Sequence, residues 1–205
     1  MQELDALFYI VILIMSVVVH EVAHGYAAYY FGDTTARDQG RLTLNPIKHL
    51  DMFGSVIIPL ILILTKAGFV FGWAKPVPYN PNNLSDRKTG TLWVASAGII
   101  ANLVLAVFFG LILRFAGAHL PGAVSIILST IVFVNIVLAI FNLIPLPPLD
   151  GSKILFTLLG HRSHKVERFL ETYALAFVLI FVFFIWRYVA PVIVWLFTII
   201  TGIHP

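Results

Sequence analysis

Cysteine is absent from this chain of 205 residues, and charged residues make up only 11% of it. The absence of cysteine excludes a disulfide framework. The shortage of charge excludes an ordinary soluble domain, because such domains carry about a quarter charged residues. The sequence also lacks internal repeats and Ser/Gly-rich linkers, so a single domain over residues 1–205 is expected.

Apolar residues are abundant: 60% of the chain is hydrophobic, and the mean hydropathy is +0.95. Lipid must therefore be the solvent for most of its surface, and the bilayer is the expected partner. The net charge of +3 and the pI near 9.3 favour basic loops on the cytoplasmic side of a membrane over binding to nucleic acid.

Four apolar segments are long enough to cross a bilayer. The first would form a helix about 39 Å long. The fourth is interrupted by Arg187 and Pro191, which leaves open whether it forms one helix or two. These segments predict an all-α polytopic membrane protein, a bundle of about four to six transmembrane helices. The segments are Ala6–Phe31, Thr91–Leu113, Gly122–Leu143 and Thr172–Ile200.

Shorter pieces lie between the first two long segments. Met52–Thr65 is short for a span and contains Pro59, which favours a re-entrant or interfacial segment over a spanning one without excluding the latter. Arg41–Asn45 alternates polar and apolar residues, and Gly68–Asn83 is rich in Gly, Pro and Asn. Both predict short β-strand or hairpin pieces near the cytoplasmic face.

The distribution of positive charge predicts an orientation. If Met52–Thr65 enters and leaves on one side, all but two of the 13 Lys and Arg residues lie on the same face, the exceptions being Arg114 and Arg187. The positive-inside rule makes that face cytoplasmic. A multi-pass protein of the cell membrane is expected, with its N-terminus outside and the site described next nearer the cytoplasm.

His20-Glu21-Val22-Ala23-His24 is an H-E-x-x-H motif on the first apolar segment. Residues four apart share a helix face, so both imidazoles can bind one metal ion. Glu21 lies beside them, where its carboxylate can take a proton from a water activated by zinc. Three ionisable groups inside an apolar helix rarely lack a role.

A catalytic zinc site needs a third protein ligand and an open fourth position. Asp150 stands out because it follows a span directly, in the sequence Pro-Leu-Pro-Pro-Leu-Asp-Gly. The prolines can present its carboxylate from non-helical backbone. A helix N-cap for the segment that starts at Gly151 explains the same aspartate about as well. Spacing alone leaves both readings open.

The motifs HEVAHG and FNLIPLPPLDG together resemble the site-2 protease family of intramembrane zinc metalloproteases. The segments GRLTLNP, GWAKPVPYN and ASAGIIAN are similar to that family's recurring segments, although Ile99 stands where many members have proline. The resemblance implies one zinc ion held by His20, His24 and Asp150, with Glu21 as the base. It also implies that Asn142 acts near the reacting oxygen, and that the substrate is a transmembrane protein or peptide.

Other polar residues favour structural roles. His49 and Asp51 are expected to bond the adjacent loop, His161 and His164 to lie on a solvated or headgroup-facing surface, and Asn102 to join helices.

The β-like pieces Arg41–Asn45 and Phe69–Tyr79 suggest that an unwound substrate is held by strand addition. A metal-ion transporter and a non-catalytic binding protein are the competing interpretations. Neither the individual substrate nor the oligomeric state can be predicted.

Overall fold

The computed structural model describes residues 2–65 and 74–203. Within them the regular structure is helical throughout, which confirms the all-α prediction for this part of the chain. The α-helices are α1 (Gln2–Tyr30), α2 (Thr35–Asp38), α3 (Ile58–Leu64), α4 (Arg87–Ala116), α5 (Gly122–Leu143), α6 (Asp150–Leu159), α7 (His164–Thr172), α8 (Ala174–Ile180) and α9 (Trp186–Thr201).

Four helical segments in the described ranges are long and apolar enough to cross a membrane, the low end of the predicted number. They are Phe8–Tyr30, Arg87–His119, Gly122–Leu143 and Ala174–Thr201. The third coincides with the predicted apolar segment at both ends. It begins directly after Pro121 and ends before the proline-rich stretch. A proline disfavours helical backbone at the residue that precedes it, so the helix does not extend further toward the N-terminus.

The C-terminal span is one continuous helical segment rather than two helices. A π-helical turn, Phe181–Ile185, joins α8 to α9, and Pro191 lies inside α9. The irregularity that the sequence suggested at Arg187–Pro191 therefore lies earlier, and the chain continues through the proline. Arg187 itself donates to the Tyr188 hydroxyl at 2.5 Å.

The predicted strand at Arg41–Asn45 is wrong, and the described residues contain no strand. Local contacts use the amides that a sheet would need: Arg41 N–H bonds the Ala36 carbonyl at 2.9 Å, and Asn45 N–H bonds the Thr43 hydroxyl at 3.2 Å. Ala74–Asn80 is irregular, and the rest of the strand predicted from Phe69 falls largely outside the described residues.

The end of α1 and the start of α4 lie at the same end of the bundle. Ser85 N–H donates to the Phe31 carbonyl at 2.8 Å, and Asp33 accepts from Asn80 N–H at 2.6 Å. The chain between them therefore begins and ends at this end of the bundle, and its described part contains a π-helical turn at Met52–Ile57 followed by α3. Whether that segment enters the bilayer as a re-entrant piece stays a prediction.

α4 is the central helix and contacts α1, α5, α6 and α9. Small residues let it approach them, since lipid provides no hydrophobic drive between helices and packing must supply the attraction. Ala106 is fully buried in a cluster that joins α4, α5 and α9. α1 packs on the other side of α4, where the buried polar residues lie.

Candidate metal centre

The two histidines of the H-E-x-x-H motif lie one turn apart on α1 and point into the bundle. Only 5% of His20 and 8% of His24 is exposed. Their rings are almost perpendicular, with centroids 4.6 Å apart. Such burial is costly for groups that must hydrogen-bond, so each ring nitrogen should have a partner.

Asp150 supplies that partner for one nitrogen of each ring. Its Oδ2 lies 3.1 Å from His20 Nε2 and 3.0 Å from His24 Nε2. It is the first residue of α6, and Leu149 occupies the N-cap position without a side-chain cap bond. The carboxylate therefore faces the imidazoles instead of capping the helix, and the positive end of the helix dipole favours its negative charge.

The other ring nitrogens meet oxygen acceptors. His20 Nδ1 lies 2.5 Å from Asn102 Oδ1, and His24 Nδ1 lies 2.6 Å from the Val94 carbonyl oxygen. A neutral imidazole that donates from Nδ1 has a lone pair on Nε2. Both lone pairs then converge on a carboxylate oxygen, an arrangement of three acceptors that a cation between them would satisfy.

The spacing suits zinc. Ligand atoms at zinc bond lengths in a tetrahedral site lie about 3.3 Å from one another, close to the two nitrogen–oxygen distances above. The ligand atoms of His20, His24 and Asp150 all lie within 4.8 Å of each other, and this is the group that could hold a metal in the described part of the chain. Two imidazoles and a carboxylate match the ligand chemistry of catalytic zinc sites.

A buried polar chain leads from the first histidine across three helices. Asn102 Nδ2 donates to Asn135 Oδ1 at 2.7 Å, and Asn135 Nδ2 donates to the Ser16 hydroxyl at 2.9 Å. Because Asn102 uses its amide nitrogen here, its oxygen is left for His20. Neither asparagine is exposed at all. The chain fixes the His20 tautomer and ring orientation, as outer hydrogen bonds do at metal sites.

Two glycines make room for the centre. A Cβ atom at Gly98 would lie 2.6 Å from both His20 Nε2 and His24 Nε2. A Cβ atom at Gly151 would collide with the backbone of Leu143 and Ile144. Gly98 thus lets α4 pass beside the imidazoles, and Gly151 lets α6 begin against the end of α5 with Asp150 in contact with α1.

Glu21 is half-buried beside the histidines. Its Oε2 accepts a hydrogen bond of 2.8 Å from Val77 N–H, in the irregular segment before α4. The carboxylate is therefore anchored through one oxygen, and the structure gives no hydrogen bond to the other among the described residues. This arrangement suits a group that accepts a proton from a nearby water.

Comparison with known proteins places this geometry in a family. The profile of peptidase family M50 matches residues 119–185. YwhC of Bacillus subtilis, named as a candidate zinc metalloprotease, is 44% identical over 185 residues, which cover 85% of this chain and 80% of YwhC. This chain belongs to peptidase family M50, the site-2 protease family.

More distant M50 relatives carry the same description as zinc metalloproteases. Rip2 of Mycolicibacterium smegmatis is 34% identical over 142 residues, covering 67% of this chain and 52% of that protein. Rip2 of Mycobacterium tuberculosis is 25% identical over 167 residues, covering 82% and 63%. The chain thus spans less than two thirds of either Rip2. No solved structure matches it.

Among the described residues, no hydrogen bond joins Asn142 to the M50 centre. Its Nδ2 donates to the Leu138 carbonyl of its own helix at 3.0 Å. His49 donates from Nε2 to the Thr43 carbonyl at 2.8 Å, and Asp51 accepts from Gly54 N–H at 2.7 Å. His49 thus bonds adjacent loop backbone as expected, whereas Asp51 caps the π-helical turn Met52–Ile57, and the role of Asn142 stays a prediction.

Sequence reasoning missed several residues around the centre. Asn102 was expected only to join helices. It does join them, and it also contacts His20. Gly98 lies four residues before it, on the same face of α4. Ser16, His20 and His24 recur every four residues along α1, a polar stripe that marks the buried face. That spacing is the signal that could have found the network.

Proposed function

We propose that this M50 chain is an intramembrane zinc metalloprotease, a single membrane-embedded domain over residues 1–205 that hydrolyses peptide bonds of membrane-spanning or membrane-proximal substrates. The observation that carries the proposal is the meeting of His20 and His24 with Asp150 beside Glu21. The ligands come from stretches 130 residues apart, and a chance arrangement would not leave three acceptors facing one space.

His20, His24 and Asp150 would hold one zinc ion per chain. Zinc, when bound, supplies a Lewis acid that activates water near neutral pH. Glu21 takes a proton from the attacking water and later passes it to the leaving amine. For Asn142 we propose a donor role toward the developing oxyanion, through the amide hydrogen that does not bond the Leu138 carbonyl. The proposed location is the cell membrane, with the N-terminus outside and the centre nearer the cytoplasm.

The test is cleavage of candidate single-span substrates in detergent by the wild-type protein beside Glu21→Gln, with zinc quantified in both. The glutamine preserves shape and cannot accept the proton, so turnover should fall by at least about 100-fold. Zinc should remain near one ion per chain in both proteins. Normal turnover by Glu21→Gln would show that Glu21 is not the base.

Transport of metal ions is the competing function. A transport path needs ligands at several depths, whereas in the described spans the candidate ligands converge at one place. Wild-type protein in proteoliposomes should therefore take up no zinc above the level of empty vesicles. Zinc uptake that depends on His20 and Asp150 would favour the transporter instead.

A further inference from the structure

The segment Ala74–Asn80, called the strap below, covers the proposed base. Its core is Lys75-Pro76-Val77-Pro78. Proline has no N–H and fixes its own φ near −65°, and each residue before a proline is biased to extended backbone. Val77 therefore provides the one amide donor between the two prolines. That single N–H is the one bonded to Glu21, at 2.8 Å.

Packing aligns the strap with α1. Glu21 and Gly25 are four residues apart and share a helix face. A Cβ atom at Gly25 would lie 2.8 Å from Val77 Cγ1, so the missing side chain at Gly25 makes the space that the Val77 side chain fills. Val77 is only 6% exposed. The Val77 side chain thus packs against α1 at Gly25, and its amide bonds Glu21, which lies one turn earlier in the helix.

Arg41 holds the same peptide group from the other end. Its guanidinium nitrogen Nη2 donates to the Lys75 carbonyl at 2.8 Å and to the Pro76 carbonyl at 3.2 Å. The Pro76 carbonyl and the Val77 amide belong to one peptide bond. Arg41 is only 7% exposed and has no acidic partner among the described residues, so these carbonyls compensate the burial of Nη2, whereas Nε has no partner among the described residues.

The strap is also fixed at both ends. Lys75 N–H donates to the His49 carbonyl at 2.8 Å, and Asn80 N–H donates to Asp33 Oδ2 at 2.6 Å. Four residues outside the strap thus hold it by hydrogen bonds, and it is a fixed part of the fold rather than a free loop. Whatever hydrogen-bonds to it inherits a defined orientation.

We propose that the Val77 amide is a positioning group for Glu21, and that the Arg41 side chain orients the peptide group to which this amide belongs. Anchoring Oε2 leaves Oε1 directed at the water that Glu21 deprotonates. The inference rests on the proposed protease function and adds to it a device for aiming the base. A misplacement of about 1 Å in such a group lowers turnover about 100-fold, so the effect belongs in kcat rather than in KM or zinc binding.

The test compares Val77→Pro with Val77→Ala in the full-length protein, using a single-span peptide substrate in detergent. Both lose side-chain packing, but only proline loses the N–H. We expect Val77→Pro to lower kcat about 10- to 100-fold with KM within about twofold of wild type. Zinc should be retained in both, and Val77→Ala, which keeps the N–H, should lower kcat less than Val77→Pro does.

An amide-to-ester replacement at position 77 removes the N–H and keeps the valine side chain, so it serves if Val77→Pro does not fold. Arg41→Met should also lower kcat. Arg41→Lys should recover part of the loss, because an ammonium group can donate to the same carbonyls.

A wild-type kcat in the ester or Val77→Pro protein would overturn the inference. A raised KM with unchanged kcat would also overturn it, since the strap would then hold substrate rather than the base. Both results leave the protease proposal intact. Failure of the zinc-loaded wild-type protein to cleave any single-span substrate would instead sink the protease proposal, and the two failures are therefore distinguishable.

Discussion

At the residue scale, the centre depends on groups that never touch the ion. Asn102 orients His20 through a 2.5 Å contact with Nδ1, and its own amide is held by Asn135. Outer partners of metal ligands are typically worth 10- to 100-fold in metal affinity. The asparagine pair therefore belongs to the proposed zinc site as much as to helix packing.

Replacing Asn102 by leucine should weaken zinc binding about 10- to 100-fold, because His20 loses the acceptor that holds its tautomer. Competition with a chelator of known affinity measures this directly, without any substrate. Asn102→Asp is the matched control, since it keeps an acceptor toward Nδ1 and should bind zinc more tightly than the leucine variant. Equal affinities in wild type and Asn102→Leu would contradict the assigned role.

Gly98→Ala should empty the centre of metal. The added methyl would lie 2.6 Å from both Nε2 atoms, closer than carbon and nitrogen can pack, so one or both imidazoles must move. Metal analysis of the purified variant is expected to give well under one zinc per chain. Gly117→Ala is the control, because nothing lies within 4 Å of the added carbon, and full zinc content in Gly98→Ala would refute the steric argument.

At the element scale, one buried carboxylate joins the end of α1 to the chain before α4. Asp33 is fully buried and accepts from Thr35, Asn80 and Asn83. Burial raises the pKa of Asp33, but the hydrogen bonds from these three residues more than offset it and leave the pKa lowered. The ionised form therefore stabilises the junction.

Asp33→Asn should destabilise the protein by about 1–3 kcal/mol, because a buried donor loses its charged acceptor. The stabilisation by the carboxylate is complete above the unfolded pKa, near 4, and is lost as pH falls through the lower folded pKa. Thermal unfolding in detergent should show a large gap between wild type and variant at pH 7. The gap should narrow below about pH 4.

Asp38→Asn is the control for that experiment, because its carboxylate is exposed and, in the described part of the chain, bonds only Thr34 and Arg37. It should unfold close to wild type at both pH values. An Asp33→Asn protein as stable as wild type at pH 7 would show that the junction does not depend on the charge.

Elements were predictable where one local signal dominated. Gly122–Leu143 was bounded by Pro121 and a proline-rich stretch, and both ends agree with α5. Arg41–Asn45 failed because its alternation is too short to outweigh the side-chain and turn contacts that take its amides. Asp150 was ambiguous because a ligand and a helix cap share the same local sequence, and only the distant imidazoles distinguish them.

Contacts between distant residues that no motif indicated were beyond sequence reasoning. Asn102 and His20 are 82 positions apart, and Val77 and Glu21 are 56 apart. Each pair depends on the register of packed helices or on the course of an irregular segment, which composition and periodicity do not specify. The motifs thus predicted which residues would bind the metal, and this stays a prediction, whereas the residues that support them were found only in the structure.

At the scale of the whole molecule, the ends of the helices that meet show which loops share a side of the bundle. α1 and α5 run in the same direction, since Ser16 pairs with Asn135 while His20 and His24, further along α1, reach Asp150 beyond the end of α5. The loop before α5 and the connector after α6 therefore lie at opposite ends. Positive charge favours a cytoplasmic location for the latter.

The absence of cysteine allows that orientation to be tested without background. In intact cells, a membrane-impermeant maleimide should label Ala118→Cys, in the outer loop, and should leave Arg168→Cys, on α7, unlabelled. After the membrane is permeabilised, both should react. The opposite labelling pattern would reverse the proposed topology and leave the metal geometry unchanged.

The absent side chain at Gly98 offers a way to recognise relatives that have lost activity. A homologue can retain both histidines, the glutamate and the aspartate and still be unable to bind the ion if any larger residue occupies this position on the central helix. Such proteins would be pseudoproteases that motif searches count as enzymes. Sorting M50 sequences by this one position, then measuring metal content on both sides of the division, turns a steric detail into a criterion for assigning catalytic competence.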